Sequence, residues 1–275
     1  MKLLITYFGV SPVKTFSHSP SVKTSQSIPK LGIIVAPGWM DPTSKELSTL
    51  CPQIIDIAQT ILPPVGFDYS FEQIEQLEPH LEYAARLLKE AGSELIIQVG
   101  PAFAYFNDYT AEGTRALQQR LADACGCPVI LNGVAVLDAI QNLGCKRIAL
   151  ACPYYNVEWK KRFLTFLQTL DLSIESCETF VEQGLFVSQE AVDARHYNFS
   201  EEEIKESIRQ TRASAPNAEM VLVGGSGVRF LSIIEDLELE FGIPVLSADV
   251  ALHWATAKNL GIKITNEKLG TLLRR

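Results

Sequence analysis

The sequence predicts an α/β protein built as two pseudosymmetric halves, with a ligand cleft between them. Three observations predict it. Short apolar runs alternate with longer stretches of 3.6-residue periodicity, the order that produces parallel sheets covered by helices on both faces. One block then recurs: Gly126-Cys127-Pro128-Val129 precedes a helix ending in Asn142-Leu143-Gly144-Cys145-Lys146, and Gly242-Ile243-Pro244-Val245 precedes one ending in Asn259-Leu260-Gly261-Ile262-Lys263. A second motif repeats upstream of each block, where an acidic residue leads an apolar strand into glycine: Glu94 through Gly100, and Glu219 through Gly225. Matches in the same order favour duplication of a Rossmann-like unit.

The elements follow in order. Residues 1–30 hold six serines, four lysines and no acid, and predict a flexible or loosely docked arm. Buried strands are expected at Leu31–Ala36, Leu95–Val99, Pro128–Leu131, Arg147–Ala151, Met220–Val223 and Pro244–Ser247. Helices are expected at Leu81–Ala91, Ala111–Cys125, Val134–Leu143, Val157–Leu170, Glu201–Ala213, Leu231–Phe241 and Val250–Leu260. The approximate division is a first half over 31–145, a second over 146–263, and a tail over 264–275.

Composition narrows the function classes. A net charge of −8 argues against a nucleic-acid partner, which selects a basic face. No apolar run reaches the roughly 18–20 residues of a membrane span, and the apolar start Leu3–Phe8 lacks a secretory cleavage pattern. Six irregularly spaced cysteines, with Cys125 and Cys127 lacking a second pair at zinc spacing, predict reduced thiols, a cytoplasmic protein and no metal. The partner expected is a small molecule. Oligomeric state is left open, a homo-oligomer included.

In a parallel α/β sheet ligands bind beyond the carboxyl ends of the strands, so the loops there are the candidates. Gly100-Pro101-Ala102-Phe103 and Gly224-Gly225-Ser226-Gly227 occupy equivalent places in the two halves and should face each other across one cleft. Amides after Gly100 and at Gly225, Ser226 and Gly227 are candidates to hold an anion, the second loop more completely because Pro101 removes a donor. A thiol placed at Gly225 should sit beside the amides of Ser226 and Gly227 and be acidified by them. Glycine-rich spacing does not match a dinucleotide fingerprint, so no such cofactor is expected. Tyr154, after the strand ending at Ala151, is a candidate proton carrier. Asp41 and Asp249 are candidates of the same kind, and each also suits a helix cap. In the loop after the first strand Trp39 and Met40 would give an apolar wall, and Pro37 is a further substrate-binding candidate. His196, beside Arg195 and Tyr197, stands in a polar connection that suits surface decoration or, less readily, a lid, and Cys152 suits an inert buried thiol.

These residues carry a family resemblance. Leu31–Pro37, Arg147–Tyr154 and Gly242–Ser247 with Trp254 resemble the aspartate/glutamate racemase superfamily, nearest its maleate isomerase and arylmalonate decarboxylase branch. The resemblance spans about residues 31–263. It implies two α/β lobes around a carboxylate substrate, and chemistry without metal or organic cofactor. It also implies a catalytic cysteine at one or both of two sites, but those sites match Gly100 and Gly225, so both thiols are missing. Where the decarboxylases carry hydroxyl residues to hold a carboxylate, this chain has Pro101 and Ala102. The expectation is therefore a cysteine-independent, enolate-type isomerisation or decarboxylation of a small organic acid or carbonyl compound. Two alternatives stand beside it: a cyclase or rearrangement enzyme for a larger apolar substrate, and a non-catalytic ligand-binding protein of the same descent.

Overall fold

The computed structural model describes residues 28–51, 55–63, 65–66, 70–100, 110–264 and 269–274. The expected arm over residues 1–30 lies almost entirely outside them, as do Pro101, Ala102 and Phe103.

Two four-stranded parallel sheets form the frame. The first uses β1 (Lys30–Val35), β2 (Asp56–Ile61), β3 (Leu95–Gln98) and β4 (Val129–Leu131) in the order β2-β1-β3-β4. The second uses β5 (Arg147–Ala151), β6 (Ser173–Glu178), β7 (Met220–Val223) and β8 (Val245–Ser247) in the order β6-β5-β7-β8. Both orders are the same permutation, so the duplication read from the repeats is present as topology. All six expected strands occur within a residue or so of their predicted bounds.

Two strands escaped the sequence reading, β2 and β6. Each is an edge strand, with exposed and half-buried residues interleaved, while β3 and β7 are buried throughout. A strand buried on both faces announces itself as a continuous apolar run; an edge strand such as Asp56-Ile57-Ala58-Gln59 does not.

The helices fall in matching places: α1 (Thr43–Leu50) and α6 (Val157–Gln168), α2 (Phe71–Glu75) and α7 (Gln189–Asp193), α3 (Glu78–Glu90) and α8 (Glu201–Ser214), α4 (Ala111–Cys125) and α9 (Ile234–Phe241), α5 (Asn132–Leu143) and α10 (Ala248–Leu260). A short α11 (Gly270–Leu273) closes against α10. The repeated glycines Gly126 and Gly242, like Gly144 and Gly261, are left-handed C-caps of equivalent helices, a conformation that costs an L side chain about 1–2 kcal/mol. That cost explains why the same residue stands at both copies.

Helices α5 and α10 start directly where β4 and β8 end, and they pack on each other. From Ala248 to Ala257 every residue of α10 is buried, with Asp249, His253 and Thr256 among them. A helix buried all round brings its polar residues into the core, where each needs a partner. Among the described residues no helix is long and apolar enough to cross a membrane.

Candidate active site between the two halves

A cleft of about 700 Å³ opens at the carboxyl ends of the strands and is lined from both halves. Ala36, Trp39 and Asp41 follow β1, Val99 and Gly100 follow β3, Tyr154 and Tyr155 follow β5, and Gly225, Ser226 and Gly227 follow β7. Gly100 (φ 101°) and Gly225 (φ 84°) both take the left-handed turn that glycine permits. Gly100 and Gly225 thus line one cleft, as the repeat implied. Pro37 is buried and is not among the residues that line it.

Tyr154 lines the cleft from the second half. Its hydroxyl accepts a hydrogen bond from the Gly227 N–H at 3.0 Å. Tyr197 and Tyr155 meet it edge-on, with ring centroids 5.2 and 5.5 Å away. Burial pushes the phenol's pKa up, repulsion from Tyr197 and Asp249 adds to this, and hydrogen bonds from Gly227 and Val228 only partly oppose it. The group is therefore a protonated acid at every ordinary pH.

A β-carbon built on Gly225 would lie 1.9 Å from the Tyr154 hydroxyl. The phenol thus fills the space a side chain at Gly225 would need. This corrects two expectations. The second loop is not an open nest: the Gly227 amide serves Tyr154 and the Gly224 amide donates to Ala151 O at 2.8 Å. Only the N–H groups of Gly225 and Ser226 carry no hydrogen bond among the described residues. Nor can a thiol be placed at Gly225 without displacing the tyrosine. Gly225→Ala should cost about 2–4 kcal/mol, from overpacking and a left-handed φ together. Urea unfolding checks the stability, and the tyrosine should also lose its hydrogen bond to Gly227.

Asp41 and Asp249 are brought together, as acceptors within a buried ionic cluster. Asp41 accepts from Thr43 N (2.8 Å), at the start of α1, and from the Trp39 indole (3.1 Å). Asp249 is not the N-cap of α10, which is Ser247. It accepts from the Ser247 hydroxyl (2.5 Å) and from Phe230 N (3.0 Å), pinning the segment after Gly227. Between the two acids runs the Arg229 guanidinium, 3.7 Å from each, bonded to Glu46 and to Thr43 Oγ1 (3.2 Å). The His253 Nε2–H donates to Glu46 at 2.8 Å. Arg229 and Glu46 were missed because no local pattern marks a pair 183 residues apart.

Burial alone would raise the Glu46 carboxyl, but the bonds and charges of His253 and Arg229 outweigh it and lower its pKa to about 2 from an ordinary 4.5. A lowered folded value means the stabilisation is complete above about pH 4.5 and is lost as pH falls towards 2. At about 1.36 kcal/mol per unit it amounts to ~3 kcal/mol. Urea unfolding of wild type and Glu46→Gln should show a gap that is widest near neutrality and shrinks in acid.

The connection after α7 covers the cleft. His196 (φ 46°) and Tyr197 (φ 63°) are consecutive left-handed residues without being glycine, an unfavourable pairing that the packing of the loop must hold. Tyr197 meets Trp39 edge-on at 5.6 Å and fills the space beside Gly227, where a β-carbon would lie 2.5 Å from its ring. Cys152 is fully buried. Burial and its neighbour Cys177 raise its pKa, consistent with an inert thiol. Among the described residues no group of three or more His, Cys, Asp or Glu is placed to hold a metal ion.

Comparison with known proteins decides the family. The family model described as arylmalonate decarboxylase matches residues 31–273. The chain belongs to this family. A curated arylmalonate decarboxylase from Bordetella bronchiseptica is 25% identical over 239 residues, covering 86% of this chain and 92% of that protein. A crystal structure of arylmalonate decarboxylase superposes with a TM-score of 0.72 at 20% identity, over 90% of this chain and 99% of that one. The maleate cis-trans isomerase of Nocardia farcinica gives 0.76 at 20% identity, over 90% and 98%. The branch that the sequence resembles is the branch found, and the two-sheet α/β fold is that of its solved members.

Proposed function

We propose that this member of the arylmalonate decarboxylase family generates an enolate in the cleft and protonates it from Tyr154, acting on a small organic acid with the chain's own groups. The observation that carries this is the placement of the Tyr154 hydroxyl in the space a side chain at Gly225 would take, with Gly227 donating to it. The family's acid/base thiol is missing at that position, and a different proton donor stands there.

The steps follow from the groups present. The N–H groups of Gly225 and Ser226 hold the substrate's carbonyl oxygen, where charge develops. Loss of carbon dioxide leaves its electron pair on the α-carbon, conjugated into the enolate. Tyr154 gives its proton to that carbon, and the phenolate, held by Gly227, recovers one from water. Racemisation needs a second acid/base on the opposite face, and Gly100 supplies no side chain there, so a donor at Tyr154 supports decarboxylation. Asp41 and Asp249 hold the frame of the site and carry no proton in this scheme.

Turnover in D2O tests it. Decarboxylation of an aryl-substituted acid should place one deuterium at the α-carbon with one enantiomer in excess. A racemic product, or binding without turnover across such acids, defeats the reading. The aromatic walls Trp39, Phe71, Trp159 and Tyr197 favour one alternative, a larger apolar substrate folded for rearrangement. Conversion of such a compound without release of carbon dioxide would establish it.

A further inference from the structure

We infer that Tyr197 is a latch: seated between Gly227 and Trp39, it closes residues 189–199 over the cleft and positions Tyr154 for proton transfer. The latch stands on packing alone, and its bearing on turnover rests on the reading above. The seat is the first observation. Gly227 is not among the glycines of left-handed φ, so its backbone would admit a side chain. What forbids one is Tyr197, whose Cδ1, Cε1 and Cγ would lie 2.5, 2.7 and 3.0 Å from a β-carbon built there. These atoms run along the root and flank of the ring, so only departure of the whole ring would make room. Glycine at 227 therefore serves the tyrosine. On the other side Trp39, from the first half, meets the same ring edge-on at 5.6 Å.

The way the segment is held is the second observation. Its ends are fixed in the second half. Ser188 caps α7, Ser200 caps α8 in a capping box with Glu203, and Arg195 pairs with both Glu203 oxygens at 2.9 and 3.0 Å. Between these anchors lie the left-handed His196 and Tyr197. Backbone strain of this kind persists only where packing over-determines it, and the seat supplies that packing. Unseating the ring releases the strain, which makes closure reversible and lets substrate pass. The same segment walls the proton donor. Tyr197 meets the Tyr154 ring edge-on at 5.2 Å, Phe199 stacks on it at 6.3 Å, and Gln189 Nε2 donates to the Tyr154 carbonyl at 3.4 Å. In the reaction carbon dioxide leaves, the Tyr154 proton goes to the α-carbon, and water returns one to the phenolate, leaving hydroxide.

Gly227→Ala tests the latch, because it keeps the N–H that serves Tyr154 and drives a wedge under Tyr197. Deuterium exchange over residues 189–199 should rise several-fold in this variant and in Tyr197→Ala. Tyr197→Phe, which keeps the ring, should recover most of the protection. The double variant should exchange no faster than Tyr197→Ala alone, since both changes remove one contact. With 2-methyl-2-phenylmalonate and its monoethyl ester as probes, kcat should fall about 10–100-fold in Gly227→Ala and Tyr197→Ala, the cost of a donor displaced by about 1 Å. Enantiomeric excess should fall with it, and Tyr197→Phe should restore most of both. Unchanged exchange in Gly227→Ala and Tyr197→Ala overturns the latch. Raised exchange with wild-type kcat and enantiomeric excess overturns the positioning of Tyr154. Raised exchange with neither probe converted, by wild type included, upholds the latch, while the enolate reading and the role of Tyr197 in it fall together.

Discussion

Tyr154→Phe is expected to abolish nearly all turnover while leaving the fold in place. A positioned proton donor contributes about 10²–10⁴-fold, and among the described residues no other side chain fills the space beside Gly225. Stability should fall by only about 1 kcal/mol, because the Gly227 N–H that loses its acceptor borders a cleft water can enter. KM should change little, since the oxyanion is held by backbone amides that the substitution does not touch. The pH profile supplies a sign. Burial raises the Tyr154 pKa, so the acid form persists as pH rises through the ordinary tyrosine range near 10. An alkaline limb at that value would show that the phenol is not enclosed as described. Turnover by the phenylalanine variant within a few-fold of wild type would remove Tyr154 from the chemistry.

How far the site was legible in the sequence depended on the range of the signal. The pairing of Gly100 with Gly225 could be read because duplication writes the same local string twice, and Tyr154 because it stands just past a continuous apolar strand. The edge strands β2 and β6 left no such run, since one side of each meets solvent or half-buried surface. What could not be read was which groups spend each other. Gly227 looks like a free anion donor in sequence, yet Tyr154, 73 residues away, already takes its hydrogen bond. Asp41 and Asp249 look like acids available to a substrate, yet Arg229, Trp39, Thr43, Ser247 and Phe230 occupy them. Hydrogen-bond commitment is a property of tertiary packing, and periodicity carries no information about it.

The heaviest loss of stability is expected from Arg229→Met. Among the described residues Arg229 is the one cation that meets Asp41, Glu46 and Asp249 together, and its side chain is 18% exposed against 1%, 16% and 0% for the three acids. Removing it leaves three carboxylates crowded in a largely dry volume, with only His253 beside one of them. Breaking a buried pair by deleting one partner costs about 3–5 kcal/mol, and more than one pair is broken here. For a chain of this size that corresponds to a fall in melting temperature of about 10 °C. A second signature separates charge from packing. Without the arginine, burial and mutual repulsion raise the carboxyl pKa values above those of the unfolded chain, so the variant should gain stability as pH falls from about 7 to 5. Calorimetry at the two pH values reads this as a narrowing gap to wild type. A gap that stays constant would mean that the loss is methionine's poorer packing and that the cluster is not held by its charges. The cluster also spans both halves, with Asp41 and Glu46 from the first and Arg229, Asp249 and His253 from the second. Release of Asp249 from Arg229 would loosen the Phe230 contact that anchors the Gly225–Gly227 loop. The variant should therefore lose turnover even at temperatures where it stays folded, through a higher KM as the Gly225 and Ser226 amides drift from register.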